Sequence, residues 1–309
     1  MVALLFIASP LSAAPDQIAE LHALRDLDRR VSDAGFRLAV SNTALCVPGE
    51  QLSGLSLHAL DQYGAGFREA AKTAFGLGEH MAVLTVTAGG PAALAGIRPD
   101  DAILEIDGVS TAAPAAGKSG SYDRVETFTD RLNEALSHGH VILTAARAGQ
   151  RLVITMTGAK GCGSRFQVVP GKKLNAAADG SYVQLSSALV QYARGDDELA
   201  AILAHELAHN ILGHRIRLDS AGVPSGLLRN FGKNARRVRA TEEEADRLSV
   251  RLMINAGYDP GAAVRFWQRF GPEHGHGILA SATHPGWRKR VAILQAEIQA
   301  LADPEPTSE

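Results

Sequence analysis

The run Glu198-Leu-Ala-Ala-Ile-Leu-Ala-His-Glu-Leu-Ala-His-Asn-Ile-Leu-Gly-His214 constrains this chain more than any other. Its residues favour a helix and it contains no proline. Positions four apart on a helix lie one turn above each other on a single face. His205 and His209 are spaced this way, so both imidazoles can reach one zinc ion. Glu206 projects beside them, where a carboxylate can act as general base on the attacking water. One rigid element therefore supplies two ligands and a base. His214 lies five residues past His209, off that face, and reads as a hydrogen-bonding or structural residue.

Catalytic zinc usually takes three protein ligands and keeps one position open. The next candidate is Glu242-Glu-Glu-Ala-Asp246, which opens a second helical stretch running to Gly257. Glu242 and Asp246 share a face, and Glu243 and Glu244 turn away from it. Glu242 is the expected third ligand. Asp246 is expected behind it, accepting a hydrogen bond from a ligand histidine and fixing its tautomer.

These pieces resemble peptidase family M48, a family of zinc metallopeptidases of the gluzincin type. The resemblance covers roughly residues 170 to 295. It rests on Asn175-Ala176, Leu199 to His209, His214, Glu242-x-x-Ala-Asp246 and Thr283-His-Pro285. It implies a zinc endopeptidase with one Zn2+ per chain. It also implies a link to envelope protein quality control, through the family's exported members. A prenyl-protein substrate does not fit, since the chain lacks the many spans of the integral-membrane members.

Among the remaining residues, His284 before Pro285 is the best donor to a developing oxyanion; the alternative is that the pair caps the helix that follows. The glycine-rich stretch Gly271 to Thr283 reads first as a solvated loop; the alternative is a cover over the cleft, with His274 or His276 in the open metal position. Ser181 to Ser186 reads as a strand, along whose edge a substrate could lie extended.

Upstream, Met81 to Thr87 reads as a strand, followed by a short helix between turn glycines and a second strand from Ala102 to Ile106. Gly90-Pro-Ala-Ala-Leu-Ala-Gly96, Arg98-Pro-Asp-Asp101 and Ile103 to Gly108 together resemble a PDZ domain. The resemblance puts Phe75-Gly76-Leu77-Gly78 where such domains hold a peptide carboxylate. It makes the helix with Val125, Phe128, Leu132 and Leu136 one wall of a peptide groove. Residues 110–120 read as an insertion, and strands at Val141–Ala145 and Leu152–Thr157 close the unit.

The expected fold class is α+β: a mainly helical zincin-type body with a small sheet, plus an inserted β-rich PDZ-like unit. The expected division is a signal segment at 1–14, a helix and strand at 15–64, the PDZ-like unit at 65–158, the peptidase part at 159–302 and a disordered tail at 303–309. Ile18, Leu21, Leu24, Leu27 and Val31 predict an amphipathic helix over 16–34, stopped by Gly35, with a strand over 36–46.

The first residues form a short apolar run ending in Ser12-Ala13-Ala14, which reads as an export signal although a basic start is missing. Export to the periplasm would permit a disulfide between Cys46 and Cys162; the alternative is two unpaired small hydrophobes. The net charge of -2 gives no basic face for nucleic acid, and no segment is long and apolar enough to span a bilayer. Two function classes follow. One is an exported zinc endopeptidase acting on peptide or unfolded protein. The other is a non-catalytic peptide-binding adaptor with a structural zinc; an intact Glu206 argues against it.

Overall fold

A computed structural model describes residues 15–46, 48–113, 119–223, 232–274 and 286–303. The expected signal segment, part of the 110–120 insertion, His276, His284 with Pro285, and nearly all of the tail lie outside the described residues.

In chain order the elements begin with helix α1 (Pro15–Ser41), strands β1 (Glu50–Leu52) and β2 (Leu55–His58), α2 (Arg68–Phe75) and β3 (Met81–Val86). Then come α3 (Pro91–Leu94), β4 (Ala102–Ile106), β5 (Val109–Ser110), α4 (Asp123–Ser137), β6 (Val141–Arg147) and β7 (Gln150–Met156). The last part holds β8 (Ala159–Gly161), β9 (Arg165–Val169), β10 (Ala176–Ala178), β11 (Tyr182–Ser186) and helices α5 (Ser187–Tyr192) and α6 (Gly195–Ile211). It ends with α7 (His214–Ser220), α8 (Gly232–Asn255), α9 (Gly261–His274) and α10 (Trp287–Ala302). The fold is α+β, as the sequence predicts.

Helix α1 does not stop at Gly35 but continues to Ser41, so the strand expected over 36–46 does not form. The apolar spacing of Val31, Ala34, Leu38 and Ala39 continues past the glycine, and all four side chains are buried. Gly35 serves close approach instead: a Cβ there would sit 2.2 Å from Cγ of Phe166 on β9. Burial of that aromatic ring outweighs the roughly 1 kcal/mol that glycine costs a helix.

The chain leaves the helical body after Cys46 and returns at Cys162. Strands β1 and β8 pair antiparallel at this stem, and a Cys46–Cys162 disulfide (Cα–Cα 5.2 Å) closes it. Between the two lies a sheet of order β2-β3-β4-β6-β7, with β5 on β4. Its core is Met81, Val83, Ile103, Ile106, Leu132, Leu136, Val141, Leu143 and Met156. The Asp107-Gly108 turn between β4 and β5 takes positive φ at both residues, the geometry that Asp-Gly tolerates. Because β2 belongs to this sheet, the β-rich unit begins ahead of residue 65.

The body is built around α6. Its Leu199, Leu203, Ala204, Leu207 and Ala208 are buried among α1, α8, α9 and a sheet of order β10-β11-β9. A helix apolar on nearly every side belongs at the centre of a domain. Strand β11 is interior, so it cannot offer a substrate edge; among the described strands of this sheet the edges are β9, which packs on α1, and β10, which lies beside α6.

Candidate metal centre

Helix α6 carries His205, Glu206 and His209, and α8 crosses it carrying Glu242. His205 Nε2 is 3.2 Å from His209 Nε2, 3.5 Å from Glu242 Oε2, and His209 Nε2 is 3.6 Å from Glu242 Oε1. A tetrahedral zinc with legs of about 2.0–2.1 Å requires ligand atoms about 3.3–3.5 Å apart. The donor set and its spacing therefore fit a zinc-sized cation without rearrangement. These are the three residues the sequence nominates as ligands, and the structure brings them together.

Burial tunes the site. Glu242 and Asp246 are only 4% and 1% exposed, and charges so deeply placed need partners. Asp246 Oδ1 lies 3.1 Å from His205 Nδ1, the position expected behind a ligand histidine. Burial and the Arg290 charge both oppose protonation of His205. Hydrogen bonds to Asp246 and Glu242 overcome them and lift its pKa to about 9. Burial, then the His205 charge, pushes His209 down to about 3. Burial thus favours the neutral form of the His209 imidazole. Glu206 is half-buried on the same helix, and its negative charge is felt at Arg290.

Arg290 is the residue that sequence reasoning missed. It is 2% exposed and comes from α10. Its Nε donates to both oxygens of Asp246 (2.9 and 3.1 Å), its Nη2 donates to the same carboxylate, and that Nη2 comes within 3.0 Å of His205 Nδ1. The guanidinium lies 3.9 Å from the centroid of Trp267, a cation–π contact that shields it from water. The available signal was its place on the apolar face of α10, with Trp287, Val291 and Leu294. The neighbouring Arg288 lies over the Trp287 ring instead.

Glu243 and Glu244 diverge. Glu243 pairs with Lys289, whereas Glu244, off the face of Glu242 and Asp246, reaches His214 and Arg217. His274 meets Tyr192 edge-on and Phe270 at a tilt at the end of α9.

The peptide groove needs a free strand edge. Phe75-Gly76-Leu77-Gly78 leads into β3, which is bonded on both sides and has no edge to offer. Phe75 and Leu77 are buried with Leu21 of α1, and Gly76 caps α2 in the left-handed conformation. Among the described strands of this sheet the ends are β2 and β7; β2, entered through Ser53-Gly54, is the end that borders α4. A cavity of about 900 Å³ lies along it, walled by Leu55, Ser56, Val125 and Thr129, with Gln184 of the body opposite. None of the metal-facing residues lines this cavity.

With this geometry in hand, comparison with known proteins gives a consistent answer. Residues 146–236 and 233–298 match the model of Peptidase family M48, and residues 83–117 match that of the PDZ domain. The chain is 31% identical over 137 residues to mitochondrial metalloendopeptidase OMA1 of Schizosaccharomyces pombe, covering 38% of this chain and 41% of that protein. It is 29% identical over 133 residues to the beta-barrel assembly-enhancing protease of Yersinia pestis, covering 34% of this chain and 27% of that one. The chain thus spans less than half the length of these relatives. Its C-terminal half belongs to peptidase family M48, and a PDZ domain stands ahead of it.

Proposed function

We propose that this chain is a zinc-dependent endopeptidase that cuts unfolded or loop segments of proteins in an exported compartment. The observation that carries the reading is the convergence of His205, His209 and Glu242 at tetrahedral spacing beside Glu206. His205, His209 and Glu242 would hold a zinc ion, which would supply a Lewis acid for the scissile carbonyl. Glu206 accepts the proton of the attacking water and delivers it to the leaving amine. Asp246 and Arg290 fix the His205 ring. An extended segment lies along β10 and bonds through its backbone, which makes cleavage tolerant of side-chain identity. The β2 edge beside α4 recruits substrate as an added strand. The disulfide supports an oxidising compartment, and the relatedness to a beta-barrel assembly-enhancing protease supports envelope proteins as substrates. No described helix is long and apolar enough to cross a membrane.

Cleavage of an unfolded reporter protein tests this reading. Glu206→Gln should retain zinc and lose about 100- to 10,000-fold in kcat. Thr129→Arg, which fills the recruiting groove, should raise KM and leave kcat alone. Full turnover in the first variant would refute the assigned base; unchanged KM in the second would remove the recruiting role.

A further inference from the structure

The two metal-facing histidines are braced differently. His205 meets a carboxylate directly through Nδ1, whereas the Nδ1 of His209 meets another imidazole, that of His214, at 2.8 Å. We propose that His214, Glu244 and Arg217 form a hydrogen-bonded brace that fixes the tautomer and orientation of His209 as a metal ligand. This inference rests on reading His205, His209 and Glu242 as a cation site.

The argument is one of proton placement. Two ring nitrogens 2.8 Å apart share one proton, so one donates and the other accepts. If His214 donated, the His209 proton would sit on Nε2, facing His205 and Glu242, and no lone pair would be left for a cation. If His209 donates from Nδ1, its Nε2 is free. His214 then carries its proton on Nε2, which lies 3.2 Å from Glu244 Oε2. That carboxylate accepts and so selects this arrangement. Arg217 holds both oxygens of Glu244, through Nη1 at 2.6 Å and Nη2 at 3.2 Å. The chain of donors therefore runs in one direction, from His209 through His214 to an anchored anion. Metal-binding imidazoles commonly have such an outer partner, and its loss typically costs 10- to 100-fold in affinity.

The local fold is built for this contact. Five residues past His209, a continuing helix would carry His214 off the ligand face. Instead α6 ends at Ile211 with Leu212 as its cap, and Gly213 takes φ of +60°, the left-handed conformation that glycine adopts without strain. The chain reverses, α7 starts at His214, and the imidazole returns to the His209 ring at a centroid distance of 4.8 Å. His214 is 2% exposed, so its polar contacts are not shared with bulk water.

The test is the zinc dissociation constant of the full chain, measured by competition with a chromophoric chelator. His214→Phe keeps the ring shape and removes both hydrogen bonds; it should weaken zinc binding about 10- to 100-fold. Glu244→Gln, at a half-exposed position, should fold normally and weaken binding about fivefold. His214→Asn, whose amide can accept from His209, should recover part of the loss. Nitrogen-15 NMR of the zinc-loaded wild type should find the His209 proton on Nδ1. A merely structural role for His214 would shift thermal stability and leave zinc affinity unchanged. Dissociation constants within twofold of wild type in His214→Phe and Glu244→Gln would overturn the brace alone. A wild-type chain without zinc affinity would overturn the site itself.

Discussion

Arg290 and Asp246 offer a quantitative test of how the site is held. Both side chains are almost wholly buried, at 2% and 1% exposure. Burial works against the Asp246 anion, but the Arg290 charge and the bond to His205 keep its pKa below the ordinary 3.8. Breaking such a pair from one side leaves an uncompensated buried charge, which costs about 3–5 kcal/mol. Arg290→Met should therefore destabilise the cation-free protein by about that amount, including about 1 kcal/mol or more from the lost contact with Trp267. Asp246→Asn should cost a similar amount, because it strands the guanidinium. The double variant, Asp246→Asn with Arg290→Met, removes both charges and should cost clearly less than the sum, by about 2–3 kcal/mol. Arg290→Lys retains charge but loses the planar fork that spans both carboxylate oxygens and the His205 ring, so it should fall between wild type and Met. The assay is urea unfolding at pH 7 with a chelator present, which keeps metal affinity out of the reading. Since the folded pKa of Asp246 is depressed, the coupling should be complete above pH 3.8 and fade as pH falls below it. Single-variant costs that add within about 0.5 kcal/mol would refute the claim that the pair acts as one unit.

Two further outcomes follow from the same physical picture. Cys46 and Cys162 are 116 residues apart, so replacing both by Ala frees a long loop in the unfolded chain and should cost about 4–5 kcal/mol. A loss under about 1 kcal/mol in guanidinium unfolding would mean the β1–β8 stem alone holds the inserted unit. Asp28 on α1 accepts a hydrogen bond from Val168 N–H, yet burial raises its pKa to about 7. The folded state then binds more protons than the unfolded one between pH 3.8 and 7, so stability should decline with rising pH over that window. Asp28→Asn should recover up to about 4 kcal/mol above pH 7 and nothing below pH 3.8. A difference from wild type that does not vary with pH would remove Asp28 as the cause.

The sequence by itself determined the residues of the centre and the type of most of its elements. Spacing of four on a proline-free helix places His205 and His209 together whatever surrounds them. The same rule aligned Glu242 with Asp246, and short apolar runs marked β3, β4, β6 and β7. The order of glycines, prolines and Asp-Gly turns around β4 was likewise legible, because those residues set backbone dihedrals locally.

Only the tertiary structure decided what depends on residues far apart in the chain. Gly35 looked like a helix stop because a glycine's local preference is visible, whereas the Phe166 ring it accommodates lies on β9. Strand β11 looked like an edge because edge and interior positions depend on which strands pair, not on the strand's own residues. That 75–78 leads into an interior strand, while β2 ends the sheet, was hidden for the same reason. Arg290 was hidden because a buried cation is tolerable only where a distant carboxylate and an aromatic face meet it, here Asp246 and Trp267. His214 was rightly placed off the ligand face of α6, yet the left-handed turn at Gly213 brings it back to His209. Local pattern chose the candidate ligands, and long-range packing chose the groups that surround them.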